Sequence, residues 1–533
     1  MLLYTLLVSL AAVPFTLADD RPFEPNDHDA LANSHAIFNS IHSAGRQWGS
    51  GLKHNGFAIF PAVIPSGTLL YHGTLSPNPP RGPEWLAFEP EHAEEFASDW
   101  LHMADSSQYS IPQQQHGNQK ILKRGGPNPG DDDDDDGVRR GYLHTYQARR
   151  DLKVLYLDGM SAGKTWYGTL DTSDYILLEN KLGSGWKETA RAEGLCELAT
   201  KWGYNGIVRC EAGFELIDCD FGRDFELKHA KRLFLTPDTA GDASSHRRQL
   251  IRAIAERYDG VGNHRLRIDY SSVVSGLFFP VNLTNPNPRR PDLHRLSATP
   301  LSDLKQIKDY LERVVKNGTS FLIDWQSIAD MIVSRYSKRI EMIVSPHTSN
   351  ITFINEIEWA VLIHVNAASL PSDKSLATAR LKALAVENVM EEGLRDCLFH
   401  YFHPVLPLQD KWSTSDRLLY LALRRVANDI CTVLFRSRKR LIDATGKLED
   451  GRRIVYDNKD AKMVTALAES RADMLKLADR LSWTTWQKVH PCPIGEEMVT
   501  VMWPMGTKED YYSPGCRQLE GTPARFGYWE PEE

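Results

Sequence analysis

The spacing of apolar positions changes character near residue 300. Before that point short apolar runs read as strands and a few stripes read as helices. Asp29–Trp48 carries Ala30, Ala32, Ile37, Ile41 and Ala44 near one helical face. Phe57–Pro65 is extended, and Leu69-Leu-Tyr-His-Gly-Thr reads as a strand ending in a turn. Trp85–Phe88 reads as a buried strand running into a helix, with Pro90 in its first turn and Glu89, Glu91, Glu94 and Glu95 suiting a helix start. Leu152–Asp158 alternates as a strand, and Tyr175-Ile-Leu-Leu reads as another. Glu188–Trp202 is an amphipathic helix closed by Gly203. Tyr204-Asn-Gly-Ile-Val-Arg and Gly213-Phe-Glu-Leu-Ile-Asp form a hairpin.

Beyond residue 300 the period is helical. Helices are expected over Leu301–Val315, Asp324–Val344, Ile354–Ala368, Ser375–Phe402, Ser413–Leu441 and Asp460–Leu481. In the second, Ile328, Met331, Ile332, Tyr336, Ile340 and Ile343 make the apolar stripe. The expected class is α+β: a mixed or antiparallel sheet domain over 19–235, a linker or small β-rich segment over 236–300, and an all-α part over 301–485. A tail rich in Pro, Gly and aromatics follows over 486–533 and is expected to wrap over a neighbour.

A chain of 533 residues is too long for one ordinary domain. Its net charge of −8 argues against a general nucleic-acid binder. The apolar run Leu2–Leu17, ending in Thr16-Leu17-Ala18, reads as a cleaved secretory signal over residues 1–18, with a signal anchor as the alternative. No other segment is long and apolar enough for a membrane span. Sequons at Asn282, Asn317 and Asn350 agree with a secreted, extracellular route. Seven cysteines allow a few disulfides. Cys492–Cys516 leads because it would staple the tail, followed by Cys210–Cys219 and Cys397–Cys431. No cysteine or histidine spacing suggests zinc, so no metal site is expected.

Residues 104–150 read as a disordered insertion, with the acidic run Asp131–Asp136 flanked by Lys123-Arg124, Arg139-Arg140 and Arg149-Arg150. The acidic run lacks the glycines and mixed ligands of a calcium loop. The basic pairs suit either proprotein processing or ordinary surface charge. Gly159-Met-Ser-Ala-Gly-Lys-Thr has one residue too few between its glycines for a phosphate loop, so a surface loop is expected.

The order His72-Gly73-Thr74, then the strand–helix pair, then the GYNGIV…FELID hairpin resembles the His-Tyr-Glu type of ADP-ribosyltransferase-like domain, over about residues 55–235, in a secreted protein of fungal type. The resemblance implies NAD as substrate. His72 would hold a ribose, Gly73 the carboxamide through its backbone, and Glu215 the ribose hydroxyl beside the bond that breaks, with Glu211 as the fallback acid. Tyr71, Trp85 or Phe88 would line the nicotinamide slot. A carboxylate there stabilises positive charge growing on the sugar. The implied function is a secreted NAD-dependent ADP-ribosyltransferase or NAD glycohydrolase with an unknown acceptor. The alternative is a non-catalytic secreted protein that keeps the fold as a scaffold, its helical part making contacts to a protein partner. Two features depart from the family pattern: Gly213 stands two before Glu215, where arginine-modifying members carry a second Glu, and Trp85-Leu-Ala-Phe replaces the usual second-strand signature.

Overall fold

The computed structural model describes residues 22–94, 96–97, 141–183, 187–233, 252–253, 265–318, 320–369, 379–445, 448–449, 453–488, 491–518 and 525–530. The expected signal, the acidic run and the pairs Lys123-Arg124 and Arg139-Arg140 lie outside the described residues.

Ten strands, six of them at the runs expected as strands, join one sheet. They are β1 (Asn55–Ile64), β2 (Leu69–Thr74), β3 (Glu84–Ala87), β4 (Tyr142–Ala148), β5 (Leu152–Gly159), β6 (Gly206–Cys210), β7 (Phe214–Asp218), β8 (Phe225–Arg232), β9 (Arg267–Ile268) and β10 (Val274–Ser275). The order is β10-β1-β5-β6-β7-β3-β2-β4-β8, with β9 also on β1. β5 and β6 run parallel, and the other pairs are antiparallel. A parallel pair needs a crossover, and the helix Glu188–Lys201 supplies it. The insertion therefore ends earlier than expected, since residues 142–148 form β4, paired in the sheet with β2 on one side and β8 on the other. Arg149 and Arg150, the remaining basic pair, are tied down: Arg149 Nε donates to the Phe225 carbonyl and Arg150 binds Asp224.

The first helical pattern splits into α1 (Asp27–Ala32), α2 (Ser34–Ser43) and α3 (Gln47–Leu52). α4 is Pro90–Glu94, α5 Glu188–Lys201 and α6 Phe221–Asp224. Then come α7 (Leu301–Lys316), α8 (Trp325–Val344), α9 (Asn350–Leu362), α10 (Ala379–Phe399), α11 (Thr414–Thr445) and α12 (Ala461–Leu481). Each helix expected beyond residue 300 forms within about four residues of its expected bounds, except the one expected over Ile354–Ala368, which runs from Asn350 to Leu362 and so ends six residues early. Tyr175–Leu177, expected as strand, instead lies in a π-helical turn, Thr172–Leu177.

α2 joins the two halves. Ser40 Oγ donates to Asp158 on β5 at 2.7 Å, while His35 meets Asp429 on α11 at 3.0 Å. Arg46, just beyond α2, binds Asp330 on α8 through two bonds of 2.7 and 2.6 Å. One continuous apolar core runs from the sheet into the helices. Residues 265–300, expected as a linker or β-rich segment, extend the sheet past β1 through β9 and β10.

Disulfides join Cys492–Cys516 and Cys397–Cys431 as expected. Cys219 pairs with Cys196 on α5 rather than with Cys210, which is a buried free thiol. The hairpin register explains the correction. Cys210 sits opposite Phe214 at the turn, whereas Cys219 N–H reaches Asn205 at the far end. The tail does wrap back: the guanidinium of Arg290 lies 5.1–6.0 Å from the rings of Tyr167, Tyr511, Tyr512 and Tyr528. Among the described residues no helix is long and apolar enough to cross a membrane.

Candidate functional site

β2 alternates, and His72 falls on its buried side. Its Nδ1 lies 2.9 Å from the Trp85 carbonyl, so Nδ1–H donates and Nε2 keeps the lone pair. Nε2 is buried without a hydrogen-bond partner among the described residues. Burial pushes the imidazole pKa down to about 4, against the pull of the Trp85 carbonyl, so the ring is neutral at pH 7.

His72, Gly73, Tyr71 and Trp85 line one cavity together with Glu215, His92, Ala93 and Phe96. The sheet order causes this convergence. β3 lies between β2 and β7, with Ala87 opposite both Tyr71 and Glu215. The cavity holds only about 10 Å³, room for about one water. Phe88 is not among its lining residues; it is fully buried with the Arg265 guanidinium 5.6 Å from its ring centre.

Gly73 does not open onto a ligand groove. A Cβ there would run into the Ala93 carbonyl oxygen, so the missing side chain lets α4 close over β2. In this closed arrangement Gly73 packs against α4.

Glu215 belongs to a buried charge network that sequence reading missed. Arg209, its register partner on β6, binds Glu215 at 2.6 Å and also binds Glu188 on α5. Glu188 in turn meets Arg191 at 2.8 Å, and Arg191 binds Asp174 at 2.7 Å. Beside them Lys164 binds Glu211 at 2.6 Å, with its ammonium 4.9 Å from the Trp503 ring centre. The loop 159–165 is therefore not a surface loop: residues 159–164 are buried, and its lysine serves an internal carboxylate. The signal that pointed to burial was Arg209 standing between Val208 and Cys210 in an apolar strand.

Opposing fields set the protonation of these groups. Burial raises the Glu188 carboxyl, but Arg209, Lys164 and Arg191 outweigh it and bring its pKa to about 2. Burial likewise opposes Glu211, and Lys164 overcomes it, leaving this acid below its ordinary value. Glu215 goes the other way: burial, aided by the neighbouring Glu211 charge, exceeds the help from Arg209. Chemically, the site offers a neutral imidazole and a carboxyl of raised pKa on one small cavity.

His92, Glu211 and Glu215 each bring a donor atom within 4.8 Å of the others. The Gly213 position permits this, since a Cβ there would lie 2.8 Å from His92 Nδ1. Lys164 and Arg209 already supply positive charge to these carboxylates, which disfavours a further dication. Elsewhere on the hairpin, Asp218 is buried and Asp220 exposed, so these two acids do not face one another across a cleft.

An α+β protein with a buried ion network beneath a helix-covered cavity is the class defined here. The model of the YPL277C N-terminal domain family matches residues 26–230. YPL277C of Saccharomyces cerevisiae, described as uncharacterised, is 30% identical over 400 residues, spanning 63% of this chain and 80% of that one. YOR389W of the same yeast, also described as uncharacterised, is 26% identical over 547 aligned positions, spanning 90% of this chain and 83% of that one. The chain belongs to the YPL277C family. No solved structure matches it.

Proposed function

We propose that this protein is an exported, NAD-consuming enzyme, an ADP-ribosyltransferase or NAD glycohydrolase, working at the cavity shared by His72 and Glu215. The observation behind the reading is that these two residues, distant in sequence, line one cavity with the flat walls of Tyr71 and Trp85. In the proposed reaction the bond between nicotinamide nitrogen and ribose C1′ breaks, nicotinamide leaves, and water or an acceptor takes the ribosyl carbon. Glu215 stabilises the charge that grows on the sugar. The cavity must enlarge for NAD to enter, so α4 lifts from Gly73. Export is supported by three disulfides and by the exposure of Asn282, Asn317 and Asn350. Glycan attachment there should give a mobility shift on enzymatic deglycosylation of protein from a secreting host.

The test is nicotinamide release from NAD by the purified full chain, alongside His72→Ala and Glu215→Gln. Turnover lost in both variants supports the reading; no turnover by the native chain sinks it. One observation favours a second reading, a non-catalytic scaffold: the Ala93 carbonyl covers Gly73. That reading expects neither turnover nor binding of a non-hydrolysable NAD analogue.

A further inference from the structure

A second cluster lies in the helical half, remote in sequence from the His72 cavity. α9 ends at Leu362, and His364 follows in the turn, its N–H on the Val361 carbonyl at 3.0 Å. On α10, Asp396 is joined by His400 one turn later, where the His400 N–H still bonds the Asp396 carbonyl at 2.9 Å. Spacing of i and i+4 puts both side chains on one face. Gly393, one turn earlier, lets the α9 turn approach: a Cβ there would lie 3.0 Å from Val365 Cγ2 and 3.1 Å from the His364 carbonyl. The Cys397–Cys431 bridge pins α10 to α11 at the residue after Asp396.

His364 Nδ1 meets Asp396 Oδ2 at 2.7 Å, and the two imidazole rings lie 5.6 Å apart, edge to face. His364, Asp396 and His400 each present a donor atom, all within 4.8 Å of one another. His364 is 8% exposed, and its Nε2 has no hydrogen-bond partner among the described residues. The cluster opens onto a pocket of about 560 Å³, also lined by Met331, Ser334, Arg335 and Tyr401.

We propose that His364, Asp396 and His400 form a binding site for a divalent transition metal such as Zn²⁺, with its open side facing this pocket. Two imidazoles and one carboxylate are the donor set that borderline-soft dications prefer over Mg²⁺ or Ca²⁺. The half-exposed Asp396 carboxylate is free to turn from hydrogen bond to ligand as the His364 proton moves from Nδ1 to Nε2, giving the other neutral tautomer. With three protein ligands the centre retains coordination positions for water or a small anion, which would meet Arg335 in the same pocket.

The experiment uses the full chain stripped with chelator. Zn²⁺ affinity is measured by competition with a chromogenic chelator, and the Co²⁺ form by its visible absorption. One equivalent should bind, and His400→Ala and Asp396→Asn should each weaken it by about tenfold or more, since even the partners of ligands are worth about 10–100-fold. Both residues are exposed, so these variants decide the matter even if His364→Ala fails to fold. The exposed His347→Ala should bind like the native chain. No uptake of Zn²⁺ at micromolar concentration, or equal affinity in the His400 and Asp396 variants, overturns the proposal.

Discussion

Arg209 and Glu215 face one another across β6 and β7, joined by a buried 2.6 Å ion pair. Arg209 also neutralises Glu188, so one guanidinium serves two buried carboxylates from two elements. Arg209→Ala should therefore cost about 3–5 kcal/mol, because charges are left buried without a partner. Glu215→Gln should cost distinctly less, since Arg209 keeps Glu188 as its counter-charge. Urea unfolding of both variants measures the difference, and equal losses would contradict it.

Asp218 makes the fold sensitive to pH. Burial, with Asp224 nearby, pushes its carboxyl up to about 8, and burial lifts Glu84, its register partner on β3, to about 7. A carboxyl with a raised native pKa holds its proton in the folded chain after the unfolded chain has lost it. Stability from these groups therefore falls as pH climbs from about 4 toward 8. Asp218→Asn should stabilise the chain at pH 8 by on the order of 1–3 kcal/mol, the cost of a poorly satisfied buried group. The gain should shrink toward pH 4. Thermal melts of both proteins across that range are the check.

Gly73 holds α4 against the sheet. Gly73→Ala drives a methyl into the Ala93 carbonyl, so α4 must shift, at about 1–3 kcal/mol for overpacking. Hydrogen exchange in residues 88–97 should quicken in the variant while β5 and β6 stay protected. If the NAD reading holds, this variant should also bind an NAD analogue more readily than the native chain. Unchanged exchange would show that α4 is not held by this contact.

The tail is held twice, by Cys492–Cys516 and by the four tyrosines around Arg290. Removing the bridge with Cys492→Ser and Cys516→Ser should cost about 3 kcal/mol by the loop-closure argument. Arg290→Ala should loosen the same tail by removing the cation and its bond to Tyr528 Oη at 3.2 Å. Limited proteolysis between 500 and 530 should accelerate in both, and a tail equally resistant in both variants would argue against this anchoring.

The helical half was legible because long stripes repeat their signal. Ile328, Ile332, Tyr336, Ile340 and Ile343 are all buried on α8, and only Met331 turned outward, at 42% exposure. Short runs were ambiguous: Tyr175-Ile-Leu fits one turn of helix as well as a strand, and tertiary packing decided. Lys164 was read as surface because nothing local reveals that Glu211 waits beneath it. The His72–Glu215 convergence was legible in order along the chain. The cover over it was not, since it depends on how closely α4 approaches Gly73, a distance no pattern encodes. The approach of His364 to Asp396 and His400 was hidden for the same reason, because His364 lies in the turn after α9 and the other two at the end of α10.

The segment matched by the family model stops at residue 230, yet the fold does not stop there. α2 lies inside that segment and stacks Phe38 on Trp483 at 5.9 Å, while Asn39 Nδ2 donates to the Leu481 carbonyl. β1 completes its outer edge with β9 and β10 from beyond residue 265. A fragment cut at 230 would present a raw strand edge and a greasy helix flank to water, an invitation to aggregate. Expression trials, deletion alleles and swaps between relatives therefore have to carry both halves, because the segment the family model covers is shorter than the unit that folds.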